Sequence, residues 1–433
     1  MAWDFETDPD YQKKLDWANE FVRGEVEPLD LIWDDLQFVP LDETRRKVVD
    51  PLKDEVRRQG LWATHLGPEL GGPGHGQLKL ALLNEVLGRS MWAPIVFGCQ
   101  APDTGNAEII AHYGTAEQKE RYLQPLLNGE CFSSYSMTEP QGGADPTQFT
   151  CRAEKDGDEW VINGRKYFSS NAKTASFLIV MAVTNPDVSP YKGMSMFLVP
   201  TDTPGVTIER NIGLWGEPLN EGFHALIHYD NARVPADALL GGEGQAFAIA
   251  QTRLGGGRIH HAMRTIASAR MLLDMMCERA LSRETAGSLL ADKQFVQGYI
   301  ADSYAQLMQF RLYVLYTAWL IDKHNDYRKV RKDIAAVKVV MPTVLHDIAW
   351  RTMQVHGALG VTNEMSIFRW VHGAAVMGLV DGPTEVHKLT VARQELRDHK
   401  PSDDVWPTEY LPKKLDAARA KYAEYLEHEV GNL

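Results

Sequence analysis

The chain has few of the features that mark metal-binding, membrane-spanning or nucleic-acid-binding proteins. It contains only four cysteines among 433 residues, with no CxxC pair, which fits a reducing cytosol and predicts no metal site. Its longest apolar run, FLIVMAV at 177–183, is far shorter than the roughly 20 residues that span a bilayer. A formal net charge of −13 provides no basic surface for nucleic acid. We therefore expect a cytoplasmic protein with no metal, no membrane span and no nucleic-acid partner.

Several common catalytic motifs are also missing. No GxSxG nucleophile elbow and no HExxH zinc motif occur, and the glycine-rich stretch GPELGGPGHGQ at 67–77 lacks the GK[ST] ending of a phosphate loop. His260 and His261 are adjacent on a predicted helix, so their side chains point in different directions. We expect ordinary core or surface histidines there rather than ligands of one metal ion.

The first block of secondary structure is helical and covers about residues 1–130. In QLKLALLNEVLGRS, at 77–90, leucine and valine recur at spacing four, which predicts an amphipathic helix that stops at Gly88. Thr115 and Gln118 have the spacing of a capping box, which predicts a second helix start.

A β-domain and then a second helical block follow. Within 131–240, SFLIVMAVT and MSMFLVP predict buried strands, GFHALIHYDNARVP predicts a strand leading into a loop, and Asp156-Gly157 and Asn163-Gly164 predict hairpin turns. Beyond 241, segments 291–325 and 329–357 are long and amphipathic, and another helix follows Pro383. This order predicts an α+β fold and not the alternating pattern of a Rossmann chain.

Three short stretches are candidates for function. LGGGR, at 254–258, places glycines inside a helix at a cost of about 1 kcal/mol each relative to alanine, so a helix–helix contact or a ligand contact is expected there. YSMTEPQGGADP, at 135–146, is either a plain loop into the β-domain or a loop whose backbone holds a ring edge or phosphate. In GLVDGPTEVHK, Asp381 precedes a proline predicted at the first helical position.

These stretches resemble motifs of the acyl-CoA dehydrogenases. YSMTEPQGGAD is similar to the flavin-binding loop Y-x-x-T-E-P-x-x-G-S-D, and LGGGRIHHAMRTIASARMLLD is similar to a long helix that begins L-D-x-G-R. MQVHGALGVTNE resembles Q-x-x-G-G-x-G, and VDGPTEV resembles Y-E-G-T-x-x-[IV]. The matches occur in the family's order over roughly residues 10–395.

The resemblance implies an acyl-CoA dehydrogenase-like fold. Its parts would be an N-terminal all-α domain (1–130), a central β-barrel domain (131–240) and a C-terminal four-helix-bundle domain (241–396), followed by a helical extension (397–433). It also implies a homodimer or homotetramer with one FAD per subunit. The expected reaction is α,β-dehydrogenation of an acyl-CoA to a trans-2-enoyl-CoA, with electrons passed to electron-transfer flavoprotein.

Individual residues receive roles by the same resemblance. Asp381 lies at the position of the catalytic glutamate that removes the α-proton, and the family's other base position is occupied here by Gly257. The residues expected to bind FAD are Tyr135, Met137, Thr138, Phe168, Ser170, Arg283, Thr285, Gln294, Gln354, Gly357, Pro383 and Glu385. Among these, Arg283, Thr285 and Gln294 would reach the FAD of a neighbouring subunit. The residues expected on the substrate side are Ala144, Arg258 and Gly382.

The chain also departs from the family pattern. Aspartate is one methylene shorter than glutamate, and Asp at this position is typical of a branch resembling family members ten and eleven and of nitroalkane oxidases on the same fold. Ala144 replaces the usual serine on the CoA side, and Gly255 replaces an aspartate at the start of the substrate helix. A flavin oxidase or monooxygenase similar to nitroalkane oxidase is therefore the alternative enzyme. A non-catalytic flavoprotein is a third reading, against which the acid at position 381 counts.

Overall fold

The protein's computed structural model describes residues 7–34, 39, 41–214 and 216–430. It divides into two compact units, Met1–Lys388 and Leu389–Leu433. The first six residues of the predicted N-terminal domain lie outside the described residues. Within the described part of the chain, no helix combines the length and apolarity needed to cross a membrane.

The N-terminal block is helical, as predicted. Its helices are α1 (Pro9–Phe21), α2 (Glu27–Ile32), α3 (Glu43–Arg58), α4 (Gln77–Leu87), α5 (Ala93–Val96), α6 (Asp103–Tyr113), α7 (Ala116–Gln118) and α8 (Gln124–Leu127). The predicted stop of α4 is confirmed, because Gly88 caps it. The predicted capping box is confirmed as well, since the Thr115 and Gln118 side chains exchange hydrogen bonds with each other's backbone N–H groups.

The middle block contains strands that pair into one eight-stranded sheet. They are β1 (Ser133–Ser136), β2 (Arg152–Asp156), β3 (Glu159–Lys166), β4 (Phe177–Val183), β5 (Met194–Pro200), β6 (Val206–Ile212), β7 (His224–Pro235) and β8 (Leu239–Leu240). The order is β6-β7-β3-β2-β4-β5-β8, and β1 pairs with β4 in parallel. The closed barrel that the family resemblance implies stays a prediction.

One of the two predicted hairpin turns is wrong. Asp156 and Gly157 do connect β2 to β3, but Asn163 and Gly164 lie inside β3, where the register against β7 shifts. Gly164 has φ +141°, and a Cβ there would come within 2.6 Å of the Cα of Cys151, the residue just before β2. The glycine therefore serves a bulge and a close backbone approach rather than a turn. The segment predicted as a loop at the end of GFHALIHYDNARVP is also strand, since β7 continues to Pro235.

The third block is helical again. It contains α9 (Ala246–Ser282), a short hairpin of β9 (Glu284–Thr285) and β10 (Ser288–Leu289), and then α10 (Gln294–His324), α11 (Arg331–His356), α12 (Ile367–Met377), α13 (Thr384–Arg397), α14 (Leu411–Lys421) and α15 (Ala423–Val430). Buried apolar residues of α9, α10 and α11 form one core that also takes in α4 and α12. A second apolar cluster joins α6, the start of α9 and one face of the sheet, so α6, the sheet and α9 meet at one place.

Candidate active site

Asp381 lies in the short loop between α12 and α13, and two helices fix this loop. Its φ of +54° is in the left-handed region, which aspartate tolerates better than most residues. The amine of Lys338, buried in α11, donates hydrogen bonds to the carbonyls of Met377 at 2.6 Å and Val380 at 2.8 Å. From α9, the Arg258 Nε donates to the Asp381 carbonyl at 2.9 Å. The backbone on both sides of the carboxylate is therefore anchored.

The Asp381 carboxylate lies against one face of α9. A Cβ built on Gly257 would be 2.8 Å from Asp381 Oδ2, so a side chain there would displace the carboxylate. Arg253 Nη1 is 3.9 Å from Oδ1, and His261 Nε2 is 3.5 Å from Oδ2. Residues 253, 257 and 261 follow one another at spacing four and so share a helix face. The carboxylate rests over the glycine with one partner for each oxygen.

The charges around Asp381 keep it ionised. Burial raises its pKa, but His261 in its protonated form, and then Arg253, Arg258 and Lys338, lower it by more, so the net pKa lies below the ordinary value. Burial lowers the pKa of His261 to about 4, which makes this imidazole neutral at neutral pH. At neutral pH the arginines and Lys338 therefore hold the carboxylate in its charged, proton-accepting form.

The loop after β1 is held by a buried ion pair. Lys166 Nζ contacts Glu139 Oε1 at 2.8 Å, and both side chains are almost completely buried. The same amine donates to the Met137 carbonyl at 2.9 Å, while the Glu139 carboxylate accepts the N–H groups of Thr150 and Cys151. The glutamate of the Thr-Glu-Pro sequence thus fixes the loop that follows Tyr135. Burial raises its pKa, but Lys166 and the two N–H donors lower it further.

Two residues expected beside a flavin ring follow strand β3. Phe168 has φ +56° and leaves 42% of its surface exposed, so its ring is available to stack on a planar ligand. Ser170 Oγ lies 2.8 Å from His224 Nδ1, and burial lowers the pKa of His224 to about 4. His224 is therefore neutral at neutral pH, and the serine hydroxyl has a partner other than a ligand.

Arg253 joins the β1 loop to the Asp381 carboxylate. Its guanidinium carbon is 3.9 Å from the centroid of the Tyr135 ring, and its Nε donates to Asn106 Oδ1 of α6 at 2.8 Å. The Tyr135 hydroxyl is buried and has no hydrogen-bond partner among the described residues. A flavin ring is planar and has polar edges. It can stack on the exposed Phe168 ring and form hydrogen bonds with the Tyr135 hydroxyl and with the polar groups of the loop after β1. The residues present therefore fit FAD.

Comparison with known proteins gives this arrangement a family. The acyl-CoA dehydrogenase N-terminal, middle and C-terminal domain profiles match residues 8–130, 134–224 and 244–396. The protein named "Probable acyl-CoA dehydrogenase FadE2" of Mycobacterium tuberculosis is 41% identical over 397 residues, covering 90% of this chain and 96% of that protein. The chain belongs to the acyl-CoA dehydrogenase family. It is an oxidoreductase that acts on CH–CH groups with FAD as cofactor.

Two further relatives of this acyl-CoA dehydrogenase-family protein agree with that assignment. Acyl-CoA dehydrogenase family member 11 of Rattus norvegicus is 39% identical over 356 residues, which cover 81% of this chain but only 45% of that longer protein. A solved structure from Mycobacterium abscessus, assigned as an acyl-CoA dehydrogenase, has a TM-score of 0.84 and 37% identity. The match covers 92% of this chain and all of that one. The expected order of a helical, a β and a helical domain is thus confirmed.

Within this family member, the expected site residues form two groups. Near the Asp381 loop, Pro383 directly precedes α13, which begins at Thr384, one position later than the sequence predicted. Gly382 has φ +107° beside Arg258 and His387, while Glu385 is exposed in the first turn of α13. The group around this loop and the β1 loop contains Tyr135, Met137, Thr138, Phe168, Ser170, Arg258, Asp381, Gly382 and Pro383.

The second group is exposed and, among the described residues, makes no hydrogen bond or ion pair with Asp381. Arg283 and Thr285 lie at and beside the β9–β10 hairpin, and Gln294 begins α10. Gln354 and Gly357 lie at the end of α11, and Ala144 is exposed in the loop after Thr138. Their predicted roles therefore need a ligand or a second chain to bring them into a site.

Several residues of the site were not found from the sequence. They are Asn106, Glu139, Lys166, His224, Arg253, His261 and Lys338. His261 was expected to be an ordinary histidine, whereas it contacts the Asp381 carboxylate. The spacing of Arg253, Gly257 and His261 was a usable signal, but only once the element packed against that face was known. The expectation of no metal site stays a prediction, and no cluster of three or more metal-binding side chains occurs in the described ranges.

Proposed function

We propose that this protein dehydrogenates an acyl-CoA thioester between Cα and Cβ, with Asp381 as the base, and passes the electrons to electron-transfer flavoprotein. The observation that carries the proposal is the largely buried, ionised Asp381 carboxylate held over Gly257, between the long helix and the loop expected to bind the flavin. A base for a weakly acidic C–H must be ionised, fixed and shielded from bulk water. The contacts of Asp381 support all three.

The chain's own residues have distinct tasks in this reaction. Asp381 accepts the α-proton on a carboxylate oxygen, and Arg258 and Lys338 hold the backbone of its loop in place while it does so. Tyr135, Met137, Thr138, Phe168 and Ser170 bind the isoalloxazine ring, and Pro383 borders it. Gly382 and Arg258 lie on the substrate side. When bound, FAD supplies the acceptor for the β-hydride, so loss of one proton and one hydride leaves a trans-2-enoyl-CoA.

We further propose that two chains complete each cofactor site. Arg283, Thr285, Gln294, Gln354 and Gly357 are all exposed. Their guanidinium, hydroxyl, side-chain amide and backbone groups suit a pyrophosphate and an adenosine. A neighbouring subunit would use them, which supports a homodimer or homotetramer. Ala144 and Glu385 are also exposed, and we assign them to the rims of the CoA and FAD sites. The domain boundaries, the closed barrel, the four-helix bundle and the cytoplasmic location remain predictions.

The test is an anaerobic titration of the FAD-loaded protein with a panel of acyl-CoAs. We expect the flavin absorbance to bleach with the wild type, whereas Asp381→Asn keeps FAD and its melting temperature but is not reduced. Asp187→Asn, which alters an exposed turn in the β-domain, is the matched control. Reduction of Asp381→Asn at the wild-type rate would contradict the assignment. Rapid oxygen use with peroxide release, instead of reduction of electron-transfer flavoprotein, would favour an oxidase.

A further inference from the structure

Asp381 is a short base, and the structure contains a device that limits its movement. The side chain has two rotatable bonds, and the missing Cβ at Gly257 leaves room for the carboxylate to turn over α9. Because Gly257 has no side chain, α9 does not sterically restrict the rotation of the Asp381 carboxylate. The orientation must be fixed by polar partners, and each oxygen has one on α9: Arg253 for Oδ1 and His261 for Oδ2.

Of these two partners, only Arg253 also touches the flavin-binding loop. Its guanidinium lies over the Tyr135 ring at 3.9 Å, within the range of a cation–π contact. Two contacts hold the Arg253 side chain against α6. Its Nε donates a hydrogen bond to Asn106, and its Cγ packs so closely on Gly105 that a Cβ there would be 2.7 Å away. One side chain thus connects α6, β1, α9 and the Asp381 loop.

We propose that Arg253 is a positioning residue that holds the Asp381 carboxylate at a fixed place relative to the Tyr135 ring. It thereby fixes the position of the base relative to the flavin. This rests on the proposed function, because it assumes that Asp381 is the base and that Tyr135 borders the flavin. It goes beyond that function by naming the contact that compensates for the shorter acid. The rigid fork of arginine suits the task, since it can serve a ring face, an amide and a carboxylate at once.

Other groups around the pair could also influence its titration. Those that face Asp381 or Arg253 come from every surrounding element: Asp103 and Glu108 from α6, Tyr135 from β1, Arg258, His261 and Arg264 from α9, Lys338 from α11, and His387 from α13. Burial raises the pKa of Glu108 to about 8 and that of Asp103 to about 6. Both therefore titrate within the pH range of the experiment below, and a transition that survives in the Arg253→Met/Asp381→Asn double variant belongs to them and not to Asp381. His261, with a pKa of about 4, titrates near that range, so the experiment includes a variant of it.

The experiment uses two changes at one position and two readouts. Arg253→Lys keeps a charge but loses the fork, and Arg253→Met loses both; Arg270→Met removes a guanidinium elsewhere on α9 as the matched control. The first readout is the rate of flavin reduction by acyl-CoA from about pH 8 to about pH 5. The second is the absorbance of bound FAD over the same range without substrate, because protonation of a carboxylate beside a flavin changes its spectrum.

We expect the wild type and Arg270→Met to reduce FAD at a constant rate over this range, since Asp381 stays ionised. Arg253→Met should be between about tenfold and a hundredfold slower at pH 8, the size expected for a misplaced catalytic group. It should lose further rate toward pH 5, because loss of a positive neighbour raises the carboxyl pKa. Arg253→Lys should keep most of the flat pH profile but still be slower. A new spectral transition in Arg253→Met should vanish in Arg253→Met/Asp381→Asn and persist in Arg253→Met/His261→Asn.

Two results would overturn the inference. One is Arg253→Met with a wild-type rate, a flat profile and no spectral transition. If that variant does not retain FAD, Arg253→Lys decides, and a wild-type rate in it is the second refuting result. The spectral titration needs no acyl-CoA, so the failure of every acyl-CoA to reduce the wild type would reject the proposed function without touching the Arg253–Asp381 contact.

Discussion

Substitution of Gly257 by alanine is a sharp test of how closely the carboxylate approaches the long helix. The added Cβ would be 2.8 Å from Asp381 Oδ2, whereas ordinary van der Waals contact begins at 3.4 Å, so the carboxylate must retreat by about 0.6 Å. Misplacement of a reacting group by about 1 Å costs about a hundredfold in rate. We therefore expect flavin reduction by acyl-CoA to slow by about tenfold.

Stability should move in the opposite direction. Alanine is favoured over glycine in a helix interior by about 1 kcal/mol, and the carboxylate can turn aside rather than force the backbone to move. Gly257→Ala should therefore melt at the wild-type temperature or slightly above it while reducing FAD more slowly. Gly373→Ala, inside α12, is the control, because among the described residues no atom outside its neighbours lies within 4 Å of the added Cβ. It should match any gain in stability and keep the wild-type rate.

The assay is anaerobic stopped-flow reduction of bound FAD at saturating acyl-CoA, with melting followed by flavin fluorescence. Saturation separates a misplaced base from weaker substrate binding, since only the former lowers the limiting rate. A Gly257→Ala protein that reduces FAD within about twofold of the wild type would refute the reasoning. It would mean that Asp381 does not work from its position over α9.

Three further predictions follow from other contacts. Lys166→Met leaves the buried Glu139 without its partner and should lower the free energy of unfolding by about 3–5 kcal/mol. Arg165→Met, on the exposed side of β3, is the control and should lower it by under about 1 kcal/mol. Both values are measured by denaturant titration. Burial raises the pKa of Glu108 from 4.5 to about 8, so between these pH values the folded protein holds a proton that the unfolded chain has lost. The free energy of unfolding should therefore fall as the pH rises from about 4.5 to 8. The melting temperature of Glu108→Gln should lack this dependence on pH. His224→Phe removes the partner of the Ser170 hydroxyl and should shift the reduction potential of bound FAD, but it should add no shift in a Ser170→Ala background. No shift in His224→Phe, or an undiminished shift when it is added to Ser170→Ala, would refute a role for this hydrogen bond.

Much of the fold followed from local pattern. Helix periodicity in 77–90 and the capping box at Thr115 were confirmed because packing and propensity agree there. Asn163-Gly164 was misassigned because the same dipeptide serves a turn or a bulge, and only the paired strand distinguishes them. The resemblance predicted Asp381 as the base, but Lys338 could not be found, since its bonds to Met377 and Val380 span about 40 residues of sequence.

The three consecutive glycines of α9 connect the fold to the proposed chemistry. The sequence left a helix–helix contact and a ligand contact open. The structure shows a helix–helix contact at Gly256, where Glu108 of α6 packs against α9, and the ligand contact stays a prediction. Tyr327 approaches Gly255, Glu108 approaches Gly256 and Asp381 approaches Gly257, where added Cβ atoms would come within 3.1, 2.8 and 2.8 Å respectively.

Successive residues on a helix point about 100° apart, so these three side chains reach the helix from three directions. The helix gives up about 1 kcal/mol of propensity at each glycine to admit them. At Gly257 the missing side chain lets the Asp381 carboxylate lie on the helix face between Arg253 and His261. The longer side chain of glutamate would have less room there. The shorter acid and the glycine beneath it thus fit each other, and we expect Asp381→Glu alone to reduce FAD more slowly, not faster, than the wild type.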